Sequence, residues 1–155
     1  MVLDGGVAQI SRSTKIPATV QAVWNVLADF GSLSSWADNA DHSCLLNHGP
    51  DGELMGSTRR VQVGSNVLVE RVTECEAPTS LAYDIEGLPS RLGKLANRWT
   101  LRPAEDGTVV TLTSTAEVGT SPLARAAEWV TLRVMTKQSD SMLAGLAQQL
   151  EDTHV

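Results

Sequence analysis

Residues 57–86 read STRRVQVGSNVLVERVTECEAPTSLAYDIE. Runs of Val, Leu, Thr and Tyr alternate there with polar residues, and Gly64-Ser65-Asn66 and Ala77-Pro78-Thr79 separate them. A period of two sends successive side chains to opposite faces, so each run predicts a strand with one buried and one wet face. Breaks this short join antiparallel neighbours, because a parallel crossover needs about a dozen residues or more. The pattern extends in both directions. Val7–Lys15 and Ala40–Asn47 read as strands before Ser57–Val63, Val67–Glu76 and Ser80–Glu86, and Leu92–Arg102 and Thr108–Val118 follow, joined by a second hairpin signal at Asp106-Gly107. The expectation is an α+β domain built on a seven-stranded antiparallel meander that must cover its apolar face.

The intervening segments supply that cover. Pro17 stops the first strand, Thr19 offers a hydroxyl cap, and Val20, Val23, Trp24, Leu27 and Phe30 recur at helical spacing. A second short piece, Leu33–Ala37, carries Trp36. Ser121-Pro122 is a cap followed by a first-turn proline, which opens a helix expected to reach about Leu150. Arg133, Lys137, Asp140, Gln148 and Glu151 mark its wet side. Its other side carries Leu132, Met135, Met142, Leu143, Leu146 and Leu150, interrupted by Thr131, Gln138 and Ser139. Methionine and neutral polar residues on an inner face fit either a cavity wall or gap-filling in a core.

Composition narrows the function classes. The 155 residues suit one domain, 1–155, and 42% apolar with 19% charged residues is ordinary globular composition. Twelve Lys+Arg against 18 Asp+Glu give a net charge of −6 without a basic cluster, which argues against nucleic acid as a partner. No apolar run is long enough for a membrane span, and the N-terminus lacks a signal-peptide pattern. Cys44 and Cys75 make no disulfide framework and fit a reducing, cytoplasmic setting.

The segments IPATVQAVWNVLADFGSLSSW, VLVERVTECEAPTSLAYDIEGLP and NRWTLRPAEDGTVVTLTSTAEV, followed by the long helix, resemble the START-like SRPBCC superfamily. Within it the chain is similar to the bacterial polyketide cyclase/dehydrase and lipid-transport group, which shares its fold with plant abscisic acid receptors and pollen allergens. That resemblance implies a helix grip: a curved seven-stranded sheet around the C-terminal helix, two short helices after the first strand, and a ligand cavity between helix and sheet.

Several residues are candidates to line that cavity. If Leu68 and Val72 face inward, alternation carries Glu70 with them, the position where the related hormone receptors hold a water network around the ligand. The opposite register would bury Val67 and Val69 and leave Glu70 in solvent. Arg60 and Arg71 are candidate partners for its charge, although both are expected on the outer face of the sheet. Leu95, Asn97, Trp99 and Leu101 share one face, and Asn97 suits either a ligand or a neighbouring strand. Trp36, Tyr83, Trp99, Leu112, Met135 and Met142 are expected to form the walls, with Ser114, Gln138 and Ser139 adding polarity and Leu88 folding over the mouth. Where the hormone receptors pair a lysine with a ligand carboxylate, the resemblance places Ala37, which disfavours an acid held in that way.

His42, Cys44 and His48 lie close in sequence without a well-spaced third and fourth ligand, so neither a metal nor a cofactor is expected. The leading expectation is binding or carriage of a small hydrophobic molecule: a lipid, fatty acyl chain or polyketide. The alternative is a polyketide cyclase or dehydratase using Glu70, Tyr83, Asn97 and Asp41. A third reading is an interaction module, with a protein partner or a homodimer engaging the closed mouth.

Overall fold

Gly64, at φ +62°, turns β4 (Thr58–Val63) into β5 (Asn66–Glu76), a conformation that glycine adopts without a Cβ clash. This hairpin is one of several in a computed structural model that describes residues 2–4, 7–87, 94–117 and 122–153, with side chains over 7–87, 94–117 and 133–151. The other strands are β1 (Val2–Asp4), β2 (Val7–Ile16), β3 (His42–Asn47), β6 (Ser80–Glu86), β7 (Leu95–Ala104) and β8 (Gly107–Glu117). Their order is β1-β2-β8-β7-β6-β5-β4-β3, and every pair is antiparallel. Strands β2–β8 are the seven of the helix-grip sheet, and β1 adds a short edge paired to β2, with Val2 opposite Gln9.

Local chemistry moves several expected boundaries. The β7–β8 turn is Glu105-Asp106, with Asp106 at φ +62°, and Gly107 already belongs to the ladder opposite Ala104. A Cβ on Gly107 would lie 2.3 Å from the Ile16 carbonyl oxygen, so the glycine serves the packing of β2 against the turn. Strand β3 begins at His42 and not at Ala40, because the Ala40 N–H closes a turn onto the Ala37 carbonyl.

Helix α1 (Val20–Ala28) is capped by the Thr19 hydroxyl, which accepts from the Ala22 N–H at 3.1 Å, and it buries Val23, Trp24 and Leu27. A 3-10 stretch, Phe30–Ser35, follows and buries Phe30 and Leu33. Helix α2 (Pro122–Thr153) runs slightly past the expected Leu150. Its Met142, Leu143, Leu146 and Leu150 join the core with the α1 residues, Trp36, Tyr83 and Trp99. Arg12 on β2 holds Asp140 of α2 at 2.8 Å. Among the described residues no helix is long and apolar enough to cross a membrane.

Candidate functional site

Alternation fixes what each strand presents to α2. On β8, Val110, Leu112, Ser114 and Ala116 are buried; on β5, Leu68, Glu70 and Val72 are. Trp99 and Leu101 of β7 are buried on the same side, with Leu95 and Asn97 half-buried. Over part of this surface the helix and sheet do not meet, and a cavity of about 360 Å³ lies between them, within the range of small-molecule sites. Val61, Leu68, Ile85, Leu95 and Leu112 form its sheet wall, and Met135 and Met142 form its helix wall. Glu70, Asn97 and Ser114 bring polarity from the sheet, Gln138 and Ser139 from α2, and Asn39 from the loop before β3.

The carboxylate does not enter this space unpartnered. Arg59 stands directly opposite Glu70 in the β4–β5 ladder, and the two are only 3% and 5% exposed. Arg59 Nε donates to Glu70 Oε1 at 2.7 Å, Nη2 lies 2.6 Å from the same oxygen, and Nη1 donates to the Phe30 carbonyl at 2.9 Å. The guanidinium also sits 3.8 Å from the Phe30 ring centre and 4.7 Å from that of Tyr83. A buried charge is costly unless paired and hydrogen-bonded, and this cluster supplies both conditions along with two aromatic faces. One row over, Ser114 Oγ donates to Asn97 Oδ1 at 2.6 Å, and Asn97 Nδ2 donates to the Tyr83 hydroxyl at 3.3 Å. Trp99 Nε1 donates to that hydroxyl at 3.2 Å. Burial first, and then the nearby Glu70 charge, push the Tyr83 pKa above its ordinary value.

A cavity between a long helix and a curved antiparallel sheet is what the resemblance implied, and residues 7–151 match the family described as polyketide cyclase / dehydrase and lipid transport. The chain belongs to that family. The Zhui aromatase/cyclase from Streptomyces sp. R1128 superposes with a TM-score of 0.78 at 17% identity, over 94% of each chain. The di-domain aromatase/cyclase StfQ of the steffimycin pathway gives 0.79 at 14% identity over 96% of this chain. This chain spans about half the length of that di-domain protein, 52%. A START superfamily protein from Mycobacterium smegmatis gives 0.71 at 16% identity, over 94% of this chain and 98% of its own. At these identities the likenesses show the fold alone. No curated protein matches the chain.

Within this family member, Glu70, Asn97, Leu112, Ser114, Met135, Gln138 and Met142 come together at the cavity. Three expected wall residues do not. Trp36, Tyr83 and Trp99 pack behind the lining: Trp36 meets Trp99 edge-on at 5.9 Å, and Phe30 meets Tyr83 edge-on at 5.6 Å. The rings of α1, the 3-10 stretch and the loop after it fill that end of the sheet, so these aromatics form a closed core. Leu88 lies outside the described residues.

Neither of the two arginines considered for Glu70 pairs with it, in keeping with the outer-face placement expected for both. Arg71 is exposed and Arg60 half-buried, while Arg59 makes the pair. Asp41 does not line the cavity; its carboxylate accepts from the Gly64 N–H at 2.7 Å and fastens the β4–β5 turn. His42 and Cys44 are exposed, and among the described residues no group of His, Cys, Asp or Glu is arranged to hold a metal. Several residues of the site escaped the sequence, Val61 and Ile85 of the wall, Arg59 and Asn39 among them. Arg59 shares strand parity with the buried Val61, a usable signal, whereas Asn39 sits in a turn where no periodicity applies.

Proposed function

We propose that the protein binds and carries a small hydrophobic molecule in the cavity beneath α2. One observation supports this above others: the cavity is walled mainly by aliphatic side chains, and Glu70, the one charged side chain among its described lining residues, is already matched by Arg59. Such a space rewards apolar surface and asks only a few polar contacts of its occupant. Both cysteines are free, in keeping with a cytoplasmic setting.

Polyketide cyclisation or dehydration is the second reading, favoured by the family description. It needs a proton donor and acceptor within reach of substrate. Glu70 is the one titratable side chain in the described lining, and the Tyr83 hydroxyl is held behind it by Trp99 and Asn97. Carriage therefore comes first. The neutral dye N-phenyl-1-naphthylamine tests it: fluorescence should rise saturably to one dye per chain. Leu112→Trp, which drives an indole into the cavity, should weaken binding at least about tenfold without unfolding the protein. Non-saturating uptake, or equal binding by the variant, contradicts carriage. Ring closure of a linear poly-β-ketone by the purified protein would put the second reading first.

A further inference from the structure

The Arg59–Glu70 pair is balanced in charge but not symmetric about the cavity. Glu70 lines the cavity and Arg59 does not. The guanidinium lies behind it, over the Phe30 and Tyr83 rings at 3.8 and 4.7 Å, and neither of those residues lines the cavity. Its Nη1 donates to the Phe30 carbonyl at 2.9 Å, while Nε and Nη2 approach Glu70 Oε1 at 2.7 and 2.6 Å. Coulomb interaction falls off with distance, so the nearer member of an ion pair sets the sign of the field beside it. The other described lining residues are apolar, amide and hydroxyl side chains, with no Lys, Arg or His among them.

We propose that Glu70 is a specificity-determining residue: it gives the cavity a negative field, and the occupant is a molecule without an anionic group. This rests on the carrier reading and narrows it. An alcohol, ester, amide or amine is admitted, and a free fatty acid or a phosphate is refused. The effect acts through space and needs no hydrogen bond between occupant and protein. A carboxylate brought into the cavity would meet Glu70 with no cation of the described lining turned toward it. Like charges in a site poor in water repel far more strongly than they do in solvent. The pairing that holds the fold together weakens this field without reversing it, because the three guanidinium nitrogens of Arg59 are turned to Glu70 Oε1 and the Phe30 carbonyl, away from the cavity.

Displacement of N-phenyl-1-naphthylamine by 2-naphthamide, 2-naphthoate and 2-naphthylmethylammonium at neutral pH separates the possibilities, since the three share a ring system and differ in charge. Both ions lose water on entry, so their difference reads the sign of the field. High salt screens the net charge of −6 at the surface and leaves the buried carboxylate largely unscreened. The wild-type protein should bind the ammonium at least about tenfold more tightly than the carboxylate. Glu70→Gln keeps an acceptor for Arg59 and leaves the guanidinium charge uncompensated, so there the preference should fall below about threefold or reverse. A smaller wild-type preference than tenfold, or no measurable binding of either ion, overturns the inference whatever the variants do. A preference that stays above threefold in Glu70→Gln, or in Arg59→Met with Glu70→Leu should the single variant not fold, overturns it as well. If neither the dye nor the neutral amide binds the wild-type protein, the carrier reading fails first. Dye and amide binding with the two ions alike sinks only the role of Glu70.

Discussion

Arg59 and Glu70 show how one cross-strand pair governs both stability and the character of the cavity. The arginine has no solvent to fall back on, and neither does the carboxylate. Arg59→Met therefore leaves Glu70 buried and unpaired, and urea denaturation should show a loss of about 3–5 kcal/mol. Arg59→Met with Glu70→Leu should recover most of it, because the pair is then replaced by apolar volume. A single-variant loss under about 1 kcal/mol would contradict the pairing.

Tyr83 offers a second test, since it is the single tyrosine of the sequence and its ultraviolet titration reports one group. Its folded pKa is raised by burial, so the native state keeps the proton after the unfolded chain has lost it. Below the ordinary value of about 10 both states are protonated and stability does not depend on this group; above it, stability falls as pH rises towards the folded value. Native tyrosinate absorbance should appear only above the range seen in urea. Ionisation near pH 10 in the folded protein would contradict the burial. Of this cluster, the inward face of Glu70 followed from the family resemblance, which turns Leu68 and Val72 inward; alternation alone left the opposite register, with Val67 and Val69 buried, open. The arginine was not singled out, because Arg59 and Arg60 are adjacent and chemically alike, and only the inward Val61 tells them apart.

Among elements, the approach of α2 to the rest of the fold turns on Gly145. A Cβ there would lie 2.1 Å from the Trp36 carbonyl oxygen, and the atom it meets is backbone. Alanine is the better helix former by about 1 kcal/mol, yet Gly145→Ala should lower stability by about 1–3 kcal/mol because α2 must move off the loop. Stabilisation by this change would mean that the helix does not touch the loop there. The strands and the long helix were legible because period two and helical spacing are strong signals. Depth along a strand was not. Alternation puts Trp99 and Asn97 on one face, but it does not say that the loop after the 3-10 stretch brings Trp36 against the first and leaves the second at the cavity.

For the molecule as a whole, the seven-stranded sheet, α2 and the cavity between them form one arrangement. The sheet curves around a helix whose upper inner face carries Met135, Gln138, Ser139 and Met142 in place of a continuous leucine stripe. Those residues leave room where Leu143, Leu146 and Leu150 close the core. The net charge of −6 gives no general attraction to anionic partners, so whatever enters does so for its apolar surface and its hydrogen bonds. Native mass spectrometry of the protein purified from cells that make it weighs the occupied chain itself. The proposal predicts a small-molecule mass above that of the polypeptide, present under native conditions, released on denaturation and absent from Leu112→Trp. A bare polypeptide mass that stays bare after incubation with an extract of those cells would contradict it.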